Sequence, residues 1–577
     1  MRRLRVGLAQ INVTVGDFAG NTAKILESID RARKLGVELL AFPELATCGY
    51  PPEDLLFKTS FIETNLKVLQ QVVRHSTGIS VVLGFVDANE DIYNAAAVIH
   101  DGNLAGVYRK IYLPNYGVFD EDRYFRAGTD CHVYVVAGTA VGITICEDIW
   151  NEAGPAAAEA HAGAEVIINI GASPYHHGKS IQRERMLATR AVDNVAIVVH
   201  TNLVGGQDEL VFDGNSVIID EEGGVIARGN QFCEDFVAAD LDIDAVFQRR
   251  LHDSRWRKCR SSLRVQSWSM IRTVLPAPAS AEKPLLAPAK AEIRGRWEEV
   301  YEALTLGTRD YLRKNHIEKA VIGLSGGIDS SLVAAIAVDA VGPDKVIGVS
   351  MPSRHSSPGS QSDAALLAAN LGIHLQTVPI EPAYAVLLET LSIPFLDTRS
   401  DVTEENLQAR IRGLILMALS NKFGWLVLTT GNKSEMSTGY TTLYGDMAGG
   451  FAVIKDVSKT MVYELVRYRN VRAGRDLIPV SILGKPPSAE LRPEQKDSDT
   501  LPPYEVLDVI LAAYVEEDES LEVLISRGLD ETMVKQVMGL VNTSEHKRHQ
   551  APVGVRITSR ALGRDRRVPI THRFKEW

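Results

Sequence analysis

The chain alternates short apolar runs with stretches of helical periodicity up to about residue 245. Apolar runs that predict buried strands cover residues 4–13, 37–42, 79–86, 141–145, 166–170 and 196–201. Apolar positions recur three and four residues apart over residues 21–35 and 179–194, which predicts two amphipathic helices. This alternation is typical of a layered α/β domain.

Proline breaks the pattern between residues 272 and 292, where Pro276 and Pro278 open a stretch rich in Ala, Pro and Lys. Proline at this density continues neither helix nor sheet. We therefore predict a first domain over residues 1–270, a linker over 271–294 and a second domain over 295–577. A basic stretch precedes the linker, and a solvated or interdomain face is preferred for it over anion binding. Its residues are Arg249, Arg250, Arg255, Arg257, Lys258 and Arg260.

The second domain resumes a regular alternation. Helical periodicity over residues 296–314 is followed by a strand at 319–324, a helix at 329–341, a strand at 346–351 and a helix at 360–371. Strands alternating with helices of this length predict a doubly wound parallel sheet. The tail over residues 545–567 is rich in Lys, Arg and Pro, and is either a flexible end or a lid over an anionic ligand.

Composition narrows the class of protein. A chain of 577 residues is too long for one core. Its 62 basic against 73 acidic residues give a net charge of -11, which argues against a general nucleic-acid binder. Scattered cysteines without a C-x-x-C pair disfavour a disulfide framework or structural zinc. Neither a secretory signal nor a membrane span is predicted, so a cytoplasmic enzyme is expected.

The sharpest chemical signal is a small-residue turn between the first strand and the following helix of the second domain. It reads Ser325-Gly326-Gly327-Ile328-Asp329-Ser330-Ser331. Glycines let the backbone approach an anion, and N–H groups at a helix start point at it. Asp329 is placed to hold Mg²⁺ on phosphates. No lysine follows the glycines, which disfavours a Walker-type enzyme; a glycine-rich turn without a ligand is the alternative.

This turn resembles the pyrophosphate loop of the ATP pyrophosphatase superfamily, whose members cleave ATP between the α and β phosphates and adenylate a substrate. Later segments resemble, in order, those of the NAD synthetase family: residues 404–413 (EENLQARIRG), 429–435 (TTGNKSE), 444–446 (YGD), 456–460 (DVSKT) and 486–491 (PPSAEL). The resemblance covers about residues 296–515. It implies ATP as a substrate and Mg²⁺ as the metal.

The resemblance also implies roles for single residues. Asp329 and Glu435 offer oxygen ligands to Mg²⁺, while Lys459 and Ser488 stabilise charge on the transferred phosphoryl group. The implied ATP-binding residues are Ser325, Gly326, Gly327, Ile328, Asp329, Ser330, Ser331, Met351, Thr430, Lys459 and Ser488. Those implied for the dinucleotide acid, deamido-NAD, are Asn406, Arg410, Lys433, Glu435, Asp446 and Lys547. Taken singly, each could be a helix cap or a surface pair, and their ordered occurrence carries the interpretation.

Three strand ends of the first domain carry a second constellation. Glu44 lies in Phe-Pro-Glu-Leu, Lys110 in Lys-Ile-Tyr-Leu-Pro, and Cys146 in Cys-Glu-Asp-Ile-Trp. At one sheet edge a carboxylate base can deprotonate the thiol, and a lysine can stabilise thiolate and oxyanion. Separately, the first piece is an ordinary loop and a cysteine after an apolar strand is ordinary core.

The ordered set resembles the nitrilase (carbon–nitrogen hydrolase) superfamily, which attacks amides through a thioester. The resemblance implies Glu44 as general base, Cys146 as nucleophile and Lys110 as electrostatic stabiliser. In the glutaminase version, Tyr116 and Glu121 are pocket residues, with Glu121 positioning Lys110. The residues implied for the α-amino and carboxylate groups of glutamine are Glu147, Ser173 and Arg183. Cys48 is a rival thiol in a Gly/Pro loop and is interpreted as structural.

Together the halves resemble glutamine-dependent NAD synthetases. Ammonia released at Cys146 would attack an acyl-adenylate of nicotinic acid adenine dinucleotide, giving NAD, AMP and pyrophosphate, so the expected enzyme is a ligase using glutamine as amido donor. The implied folds are an α-β-β-α sandwich and an adenine nucleotide α-hydrolase-like, Rossmann-like sheet. An ammonia channel and a homo-oligomer formed through the synthetase domain are also implied, with small-molecule substrates and neither nucleic acid nor membrane as partner.

Two alternatives stay open from the residues. One is a different glutamine amidotransferase of the same build, which would amidate another carboxylate. The other is a hydrolase whose nucleotide domain has decayed to a binding module; the intact Asp329, Glu435 and Lys459 argue against it.

Overall fold

The computed structural model describes residues 2–254, 256, 258, 268–276 and 283–577. It divides into two compact units. The first comprises Met1–Gln207 and Val211–Arg294, and the second comprises Gly295–Trp577 together with Asp208–Leu210. The division at residue 295 coincides with the predicted start of the second domain.

The first unit is built on two sheets flanked by helices. Its strands are β1 Arg3–Gln10, β2 Leu39–Ala41, β3 Ser80–Asn89, β4 Asp91–His100, β5 Asn103–Arg109, β6 Asp130–Val136, β7 Thr139–Ile145, β8 Val166–Gly171, β9 Ile197–Asn202, β10 Val204–Gln207, β11 Leu210–Asp213, β12 Val217–Ile219, β13 Val225–Arg228, β14 Asp235–Asp242 and β15 Ser269–Val274. Its helices are α1 Phe18–Lys34, α2 Thr59–His75, α3 Pro155–His161, α4 Lys179–Asn194 and α5 Ile243–His252.

The two sheets face each other across one core. One has the order β14-β1-β2-β3-β4-β5 and the other β13-β12-β9-β8-β7-β6-β15. Alternate side chains of β1 and β7, such as Leu4, Val6, Val141 and Ile143, share a buried cluster between them. Leu187 of α4 packs in another cluster with the remaining face of the second sheet, while α1 and α2 cover the first sheet. The predicted α-β-β-α sandwich is confirmed.

Strand direction brings the motif-bearing ends together. Strands β1, β2 and β3 are parallel, and β5 runs in the same direction as β3 because each pairs antiparallel with β4. The carboxyl ends of β2 and β5 therefore lie at one edge of the first sheet. Glu44 follows β2 and Lys110 follows β5. In the facing sheet Cys146 directly follows β7, which is parallel to β8.

The predicted linker is partly wrong. Residues 269–274 form β15, which pairs in parallel with β6 from Ser269↔Asp130 to Val274↔Val135. The reason is that Ile271, Thr273 and Val274 are β-branched and the prolines begin only at Pro276. Further on, the backbone N–H of Leu286 donates to Asp240 Oδ2 at 2.9 Å. The segment before residue 295 therefore extends the first unit.

Only part of the basic stretch lies within the described residues. Arg255, Arg257 and Arg260 lie outside the described residues. Arg250 donates from Nε to the Val195 carbonyl at 3.0 Å and stacks over the Trp256 ring at 4.6 Å. These contacts hold the Arg250 side chain within the first unit.

The second unit is a parallel sheet between helices. Its strands are β16 Ala320–Gly323, β17 Val346–Ser350, β18 His374–Thr377, β19 Leu426–Thr429 and β20 Phe451–Ala452. Its helices are α6 Arg296–Lys314, α7 Ile328–Val341, α8 Pro358–Leu371, α9 Glu381–Thr390, α10 Val402–Phe423, α11 Lys433–Thr438, α12 Lys459–Ala473, α13 Val480–Gly484, α14 Tyr504–Leu511, α15 Leu521–Ser526, α16 Glu531–Thr543 and α17 Glu545–Arg548.

The strand order determines where a crevice forms at the end of this sheet. The strands run β18-β17-β16-β19-β20 and pair in parallel throughout. The chain leaves β16 toward β17 on one side and returns through β19 on the other, so a crevice opens at the carboxyl ends of β16 and β19. This confirms the doubly wound architecture. In the described part of the chain, no helix is both long and apolar enough to cross a membrane.

Candidate active sites

The first site centres on the ammonium group of Lys110, which is completely buried. Lys110 Nζ donates to Glu44 Oε1 at 2.7 Å and to Glu121 Oε1 at 2.9 Å. Burial acts to lower the pKa of Lys110, but the two carboxylates outweigh it and hold the pKa well above its ordinary value. Lys110 is therefore a fixed positive charge between two carboxylates. Of the predicted residues, the structure brings Glu44, Lys110 and Glu121 into direct contact.

Glu121 is held as tightly as Lys110. Its Oε1 also accepts from the Tyr50 hydroxyl at 2.9 Å. Burial raises the pKa of Glu121 to about 7, against the opposing charge of Lys110. Because Glu121 Oε1 accepts from both Lys110 and Tyr50, its contacts suit orientation of the lysine.

Glu44 is oriented by two donors outside the predicted set. Its Oε1 accepts from Asn94 Nδ2 at 2.7 Å, and its Oε2 accepts from the Ala172 backbone N–H at 2.8 Å. Asn94 lies in β4, and its own carbonyl accepts from the Lys110 N–H at 2.8 Å. A single amide side chain in an otherwise apolar strand, Tyr-Asn-Ala-Ala-Ala-Val, is the signal that could have found it.

Cys146 begins a tight turn at the end of β7. Its φ is +40°, a left-handed conformation unusual for a cysteine and common at functional sites. Burial raises the pKa of the thiol well above its usual range, the charge of Glu44 raises it further, and Lys110 opposes both. The resting group is therefore a thiol rather than a thiolate, so it needs a base at the moment of attack.

Asp148 connects the turn of Cys146 to the segment of Lys110. Its Oδ1 accepts from the backbone N–H groups of Ile111 and Tyr112 at 3.1 and 2.9 Å. Its Oδ2 accepts from the Ile145 N–H at 3.0 Å and from the Tyr108 hydroxyl at 2.7 Å. Ile111 follows Lys110 and Ile145 precedes Cys146. One buried carboxylate thus connects the backbone next to Lys110 with the backbone next to Cys146.

The predicted glutamine-binding residues occupy different environments. The exposed Tyr116 donates from its hydroxyl to Glu147 Oε2 at 2.9 Å. The buried Ser173 lies beside Ala172, whose N–H reaches Glu44. Both positions border the triad.

Arg183 lies in the interior of the first unit. It is buried, and its Nη2 forms an ion pair with Asp213 Oδ2 at 2.7 Å. Its charge is paired inside the fold, and its role as a ligand of glutamine stays a prediction. Lys179, at the start of the same helix α4, places Nζ 4.1 Å from the centre of the Trp150 ring, and Trp150 closes the turn of Cys146. Sequence reasoning missed this lysine, although it stands only six residues after Ser173.

Cys48 has no features of a nucleophile. Its Sγ contacts the Leu45 and Gly49 carbonyls at 3.8 and 3.5 Å, and burial raises its pKa to about 12. The interpretation of Cys48 as structural agrees with these contacts.

The second site opens at the carboxyl ends of β16 and β19, around the turn that starts at Ser325. Ser325 Oγ accepts from the Gly327 N–H at 3.2 Å and contacts Ser330 Oγ at 3.2 Å. Gly326 has φ +78°, and a Cβ there would stand 2.2 Å from the Ser360 carbonyl. Only glycine fits this close approach between the turn and α8.

A cavity of about 850 Å³ lies over this turn. The predicted residues that line it are Ser325, Gly326, Gly327, Ile328, Asp329, Ser330, Met351, Thr430, Glu435, Asp446, Lys459 and Ser488. Arg412 also lines the cavity and donates from Nε to the Met351 carbonyl at 3.1 Å. Burial lowers the pKa of Arg412 to about 10. The sequence contained it within the motif EENLQARIRG, two residues after the predicted Arg410.

Three charged groups meet at the floor of the cavity. Lys459 Nζ contacts Asp329 Oδ2 at 2.5 Å and Glu435 Oε1 at 3.6 Å. Asn432 Nδ2 donates to Asp329 Oδ1 at 3.0 Å. Burial raises the pKa of Glu435 to about 8, while Lys459 opposes this rise and Asp329 adds to it. Among the described residues no cluster of three or more His, Cys, Asp and Glu side chains could hold a metal.

Several predicted residues lie outside the cavity lining. Ser331 is buried and donates to the Gly327 carbonyl at 2.7 Å, so it braces the turn from behind. Asn406 Oδ1 accepts from the Thr442 hydroxyl at 2.7 Å, and Arg410 Nε donates to the Leu443 carbonyl at 3.2 Å. Lys547 Nζ donates to the Gly439 and Thr441 carbonyls, both at 2.7 Å.

Lys433 is bound by carboxylate and hydroxyl groups inside the second unit. Its buried ammonium contacts Asp456 Oδ1 at 2.8 Å, Glu516 Oε1 at 2.7 Å and Thr558 Oγ1 at 2.8 Å. Lys433 Nζ also donates to the Arg560 carbonyl at 3.2 Å, so four internal acceptors surround the ammonium group. Lys433 is thus an internal anchor, and its role as a ligand of deamido-NAD stays a prediction.

The basic tail is held by Asp456, the carboxylate that also binds Lys433, and by an ion pair of its own. The N–H groups of Ile557 and Thr558 donate to Asp456 Oδ2 at 2.8 and 2.7 Å. Arg548 is buried and pairs with Glu545 Oε2 at 2.7 Å. The alternative of a flexible end is wrong for this part of the tail, because its charges and N–H groups are bound inside the second unit.

Both halves match models of known families. The carbon–nitrogen hydrolase model matches residues 5–250, and the NAD synthase model matches residues 300–551. The two matches together span most of the chain and correspond to the two structural units.

Curated relatives match over full length. The chain is 51% identical over 579 residues to the glutamine-dependent NAD(+) synthetase of Thermotoga maritima, with 100% of both chains covered. It is 48% identical to that of Aquifex aeolicus, covering 99% of this chain and 100% of the relative.

Solved structures agree in fold. A structure of the glutamine-dependent NAD+ synthetase from Acinetobacter baumannii, in complex with adenosine diphosphate, is 38% identical with a TM-score of 0.73 and covers 99% of this chain and 98% of that one. A glutamine-dependent NAD(+) synthetase from Cytophaga hutchinsonii, at 23% identity and with the same coverage, has a TM-score of 0.80 and shows the shared fold.

Proposed function

This chain belongs to the glutamine-dependent NAD(+) synthetases, and from that premise we propose which residues carry out each half of the reaction. It is a ligase that takes its amido nitrogen from glutamine. The hydrolase unit releases ammonia from glutamine, and the synthase unit uses ATP to activate the carboxylate that ammonia attacks. The observation that carries the first half is the buried Lys110 ammonium held by Glu44 and Glu121 beside the Cys146 thiol.

Glutamine hydrolysis follows from the charges at the first site. Glu44 takes the Cys146 proton as sulfur attacks the amide carbon, and Lys110 stabilises the oxyanion. The proton then passes from Glu44 to the leaving nitrogen, so that ammonia departs and a thioester remains. Glu44 next takes a proton from water, whose attack releases glutamate and restores the thiol. A thiol of raised pKa suits this cycle, because it loses its proton only when the base and the substrate are both in place.

Glutamine itself is oriented by polar groups that border the triad. We assign its α-amino group to Glu147, with the Tyr116 hydroxyl positioning that carboxylate. We assign its α-carboxylate to Ser173 and to the Lys179 ammonium. Arg183 supports this pocket from the interior through its ion pair with Asp213.

ATP occupies the cavity over the turn of Ser325–Ser330. The N–H groups of this turn and of the α7 start face the phosphates, and Met351 lies where the adenine is expected. Attack by the nicotinate carboxylate of nicotinic acid adenine dinucleotide on the α phosphate releases pyrophosphate and leaves an acyl-adenylate. Ammonia then displaces AMP to give NAD. Lys459 stabilises the charge that develops on the phosphoryl oxygens.

Magnesium fits the donors that this cavity presents. Asp329 and Glu435 both line it with carboxylate oxygens, and Mg²⁺ is usually held by one or two carboxylates together with substrate phosphates. Bound there, Mg²⁺ would offset phosphate charge. The protein's own contribution is the fixed spacing of the two carboxylates by Asn432 and Lys459.

Purified protein given nicotinic acid adenine dinucleotide, ATP and Mg²⁺ tests the division of labour. Cys146→Ala should abolish NAD formation from glutamine and leave formation from ammonium intact. Cys48→Ala is the matched control and should keep both activities. If Cys146→Ala forms NAD from neither glutamine nor ammonium, the assignment is contradicted. If Cys48→Ala loses NAD formation from glutamine alone, Cys48 is the nucleophile.

The second unit also carries an apolar surface suited to a second copy of this chain. It comprises Val386, Ile393, Leu396, Val402 and Leu414, all exposed, along α9, α10 and their connection. The two helices contact each other, and exposed apolar residues grouped in this way mark interaction surfaces. We assign this surface to the interface of a homo-oligomer. Leu414→Glu should lower the molecular mass measured by light scattering, and an unchanged mass would refute this surface as the interface.

The thiols suit a reducing compartment. Cys48, Cys131 and Cys146 are buried free thiols, and we place the enzyme in the cytoplasm, where thiols stay reduced.

A further inference from the structure

Helix α14 contacts the phosphate-site lysine although it contains none of the motif segments. Tyr504 and Asp508 lie four residues apart on it, so both side chains project from one face. Lys459 Nζ stands 5.4 Å from the centre of the Tyr504 ring, within the range of a cation–π contact. The Tyr504 hydroxyl donates to Asp497 Oδ2 at 2.9 Å.

Asp508 makes the closer connection. Its Oδ1 accepts from the Ser434 hydroxyl at 2.5 Å. Its Oδ2 accepts from the Thr460 N–H at 2.8 Å and from the Thr460 hydroxyl at 2.7 Å. Ser434 Oγ in turn accepts from the Lys459 N–H at 2.9 Å. Both carboxylate oxygens are therefore used, and all the partners belong to two chain segments.

Those two segments carry the groups assigned to ATP and metal. Ser434 directly precedes Glu435 near the start of α11, and Thr460 directly follows Lys459 at the start of α12. The first turn of a helix leaves N–H groups without helical partners and favours a negative charge nearby. A buried carboxylate that satisfies such donors on α12 and also holds α11 fixes the two helix starts against each other.

We propose that Asp508 is a positioning residue for the adenylation step, acting through Lys459 and Glu435. The inference rests on the role proposed above for Lys459. Asp508 contributes no atom to the reaction. It holds the lysine backbone through Ser434 and Thr460, so that the ammonium stays between the carboxylates of Asp329 and Glu435 and faces the phosphates.

Asp508→Asn tests this directly. The amide keeps the shape of the side chain but turns one acceptor into a donor, which then faces the Ser434 hydroxyl or the Thr460 donors. We expect kcat for ammonium-dependent NAD formation to fall about 10- to 100-fold, the usual cost of losing a group that orients a catalytic residue, while KM for ATP changes less than about threefold. Glu505→Gln removes an exposed carboxylate from the same helix and should leave kcat unchanged.

A double substitution separates positioning from a general structural role. In a Lys459→Met background, Asp508→Asn should lower kcat by no more than about twofold, because residues that act through one another are not additive. If the fall in kcat of the double variant equals the product of the falls in the two single variants, the proposal is overturned. An unchanged kcat in Asp508→Asn alone would overturn it as well. An unchanged kcat in Lys459→Met would instead refute the role of Lys459.

Ser434→Ala provides the same test if Asp508→Asn does not fold, as judged by circular dichroism. It removes the hydroxyl between Asp508 and the Lys459 N–H without placing a donor against a donor. A fall in kcat at nearly constant KM for ATP supports the proposal, and an unchanged kcat overturns it.

Discussion

Asp148→Asn should separate the two nitrogen sources more sharply than any other substitution outside the triad. The Asp148 carboxylate accepts hydrogen bonds from Ile111, Tyr112, Ile145 and Tyr108. Burial raises its pKa to about 6, against the hydrogen bonds that favour the charged form, so it is mainly ionised at neutral pH. An asparagine side chain keeps one acceptor oxygen, which can serve one of the two pairs of donors. Its amide N–H group would then face the other pair, which are donors themselves.

The magnitude follows from the bonds lost. A hydrogen bond to a charged group contributes about 1.5–3 kcal/mol, and the loss of one pair leaves buried donors unsatisfied. Because Ile111 and Ile145 adjoin Lys110 and Cys146, the loss falls on the spacing of lysine and nucleophile. A misplacement of about 1 Å costs on the order of 100-fold in rate. We expect kcat/KM for glutamine to fall by about that factor.

The assay compares NAD formation from glutamine and from ammonium in the same preparation. Ammonium-dependent synthesis should change less than about twofold, which also shows that the second unit is folded. Asp122→Asn, an exposed carboxylate near Glu121, is the matched control and should leave both rates unchanged. An Asp148→Asn enzyme with full glutamine-dependent activity would refute the argument that this carboxylate sets the spacing.

Three further predictions test other parts of the structure. Glu44→Gln should move the pH profile of Cys146 alkylation by iodoacetamide to lower pH, because the charge of Glu44 raises the pKa of that thiol; an upward shift would contradict the assigned sign. Gly326→Ala should abolish synthesis from both nitrogen sources, because its Cβ would stand 2.2 Å from the Ser360 carbonyl; Gly424→Ala, at φ +71° with nothing within 4 Å of its Cβ, is the control for backbone strain alone and should keep both. Lys433→Met should lower the thermal midpoint by several degrees, since it leaves Asp456 buried without its ammonium partner; an unchanged midpoint would mean that the tail is held in another way.

The fold and the placement of the catalytic pieces could be predicted because their signals are local. Glu44 and Cys146 each follow an apolar strand. The strands before Glu44 and Lys110 run in the same direction, which places these two residues at one end of their sheet. The turn at Ser325 likewise joins a buried strand to a helix, and this position defines a phosphate site in a doubly wound sheet. Periodicity and strand ends are thus sufficient for Glu44, Cys146 and Asp329.

The remaining features depend on partners distant in sequence. Lys433 stands inside a motif segment, but its acceptors Glu516 and Thr558 follow 83 and 125 residues later. Arg183 has its charge compensated by Asp213, which no periodicity connects to it. The strand at Ser269–Val274 was obscured by the prolines after it, because composition averaged over a window hides six residues that pair well with β6. Tertiary contacts, not local preference, decide these positions.

The anchor of Lys433 has a consequence for the nascent chain. Lys433 stands between Asn432, which holds Asp329, and Ser434, which holds the start of α12. Its partner Thr558, however, is translated 125 residues after it. The hydrolase half of the polypeptide is complete long before that point. During translation the glutamine-cleaving centre can therefore be assembled while the phosphate-handling centre still lacks its last support. Insertions or truncations near residue 558 should consequently reduce the rate of NAD formation more than the rate of glutamine hydrolysis.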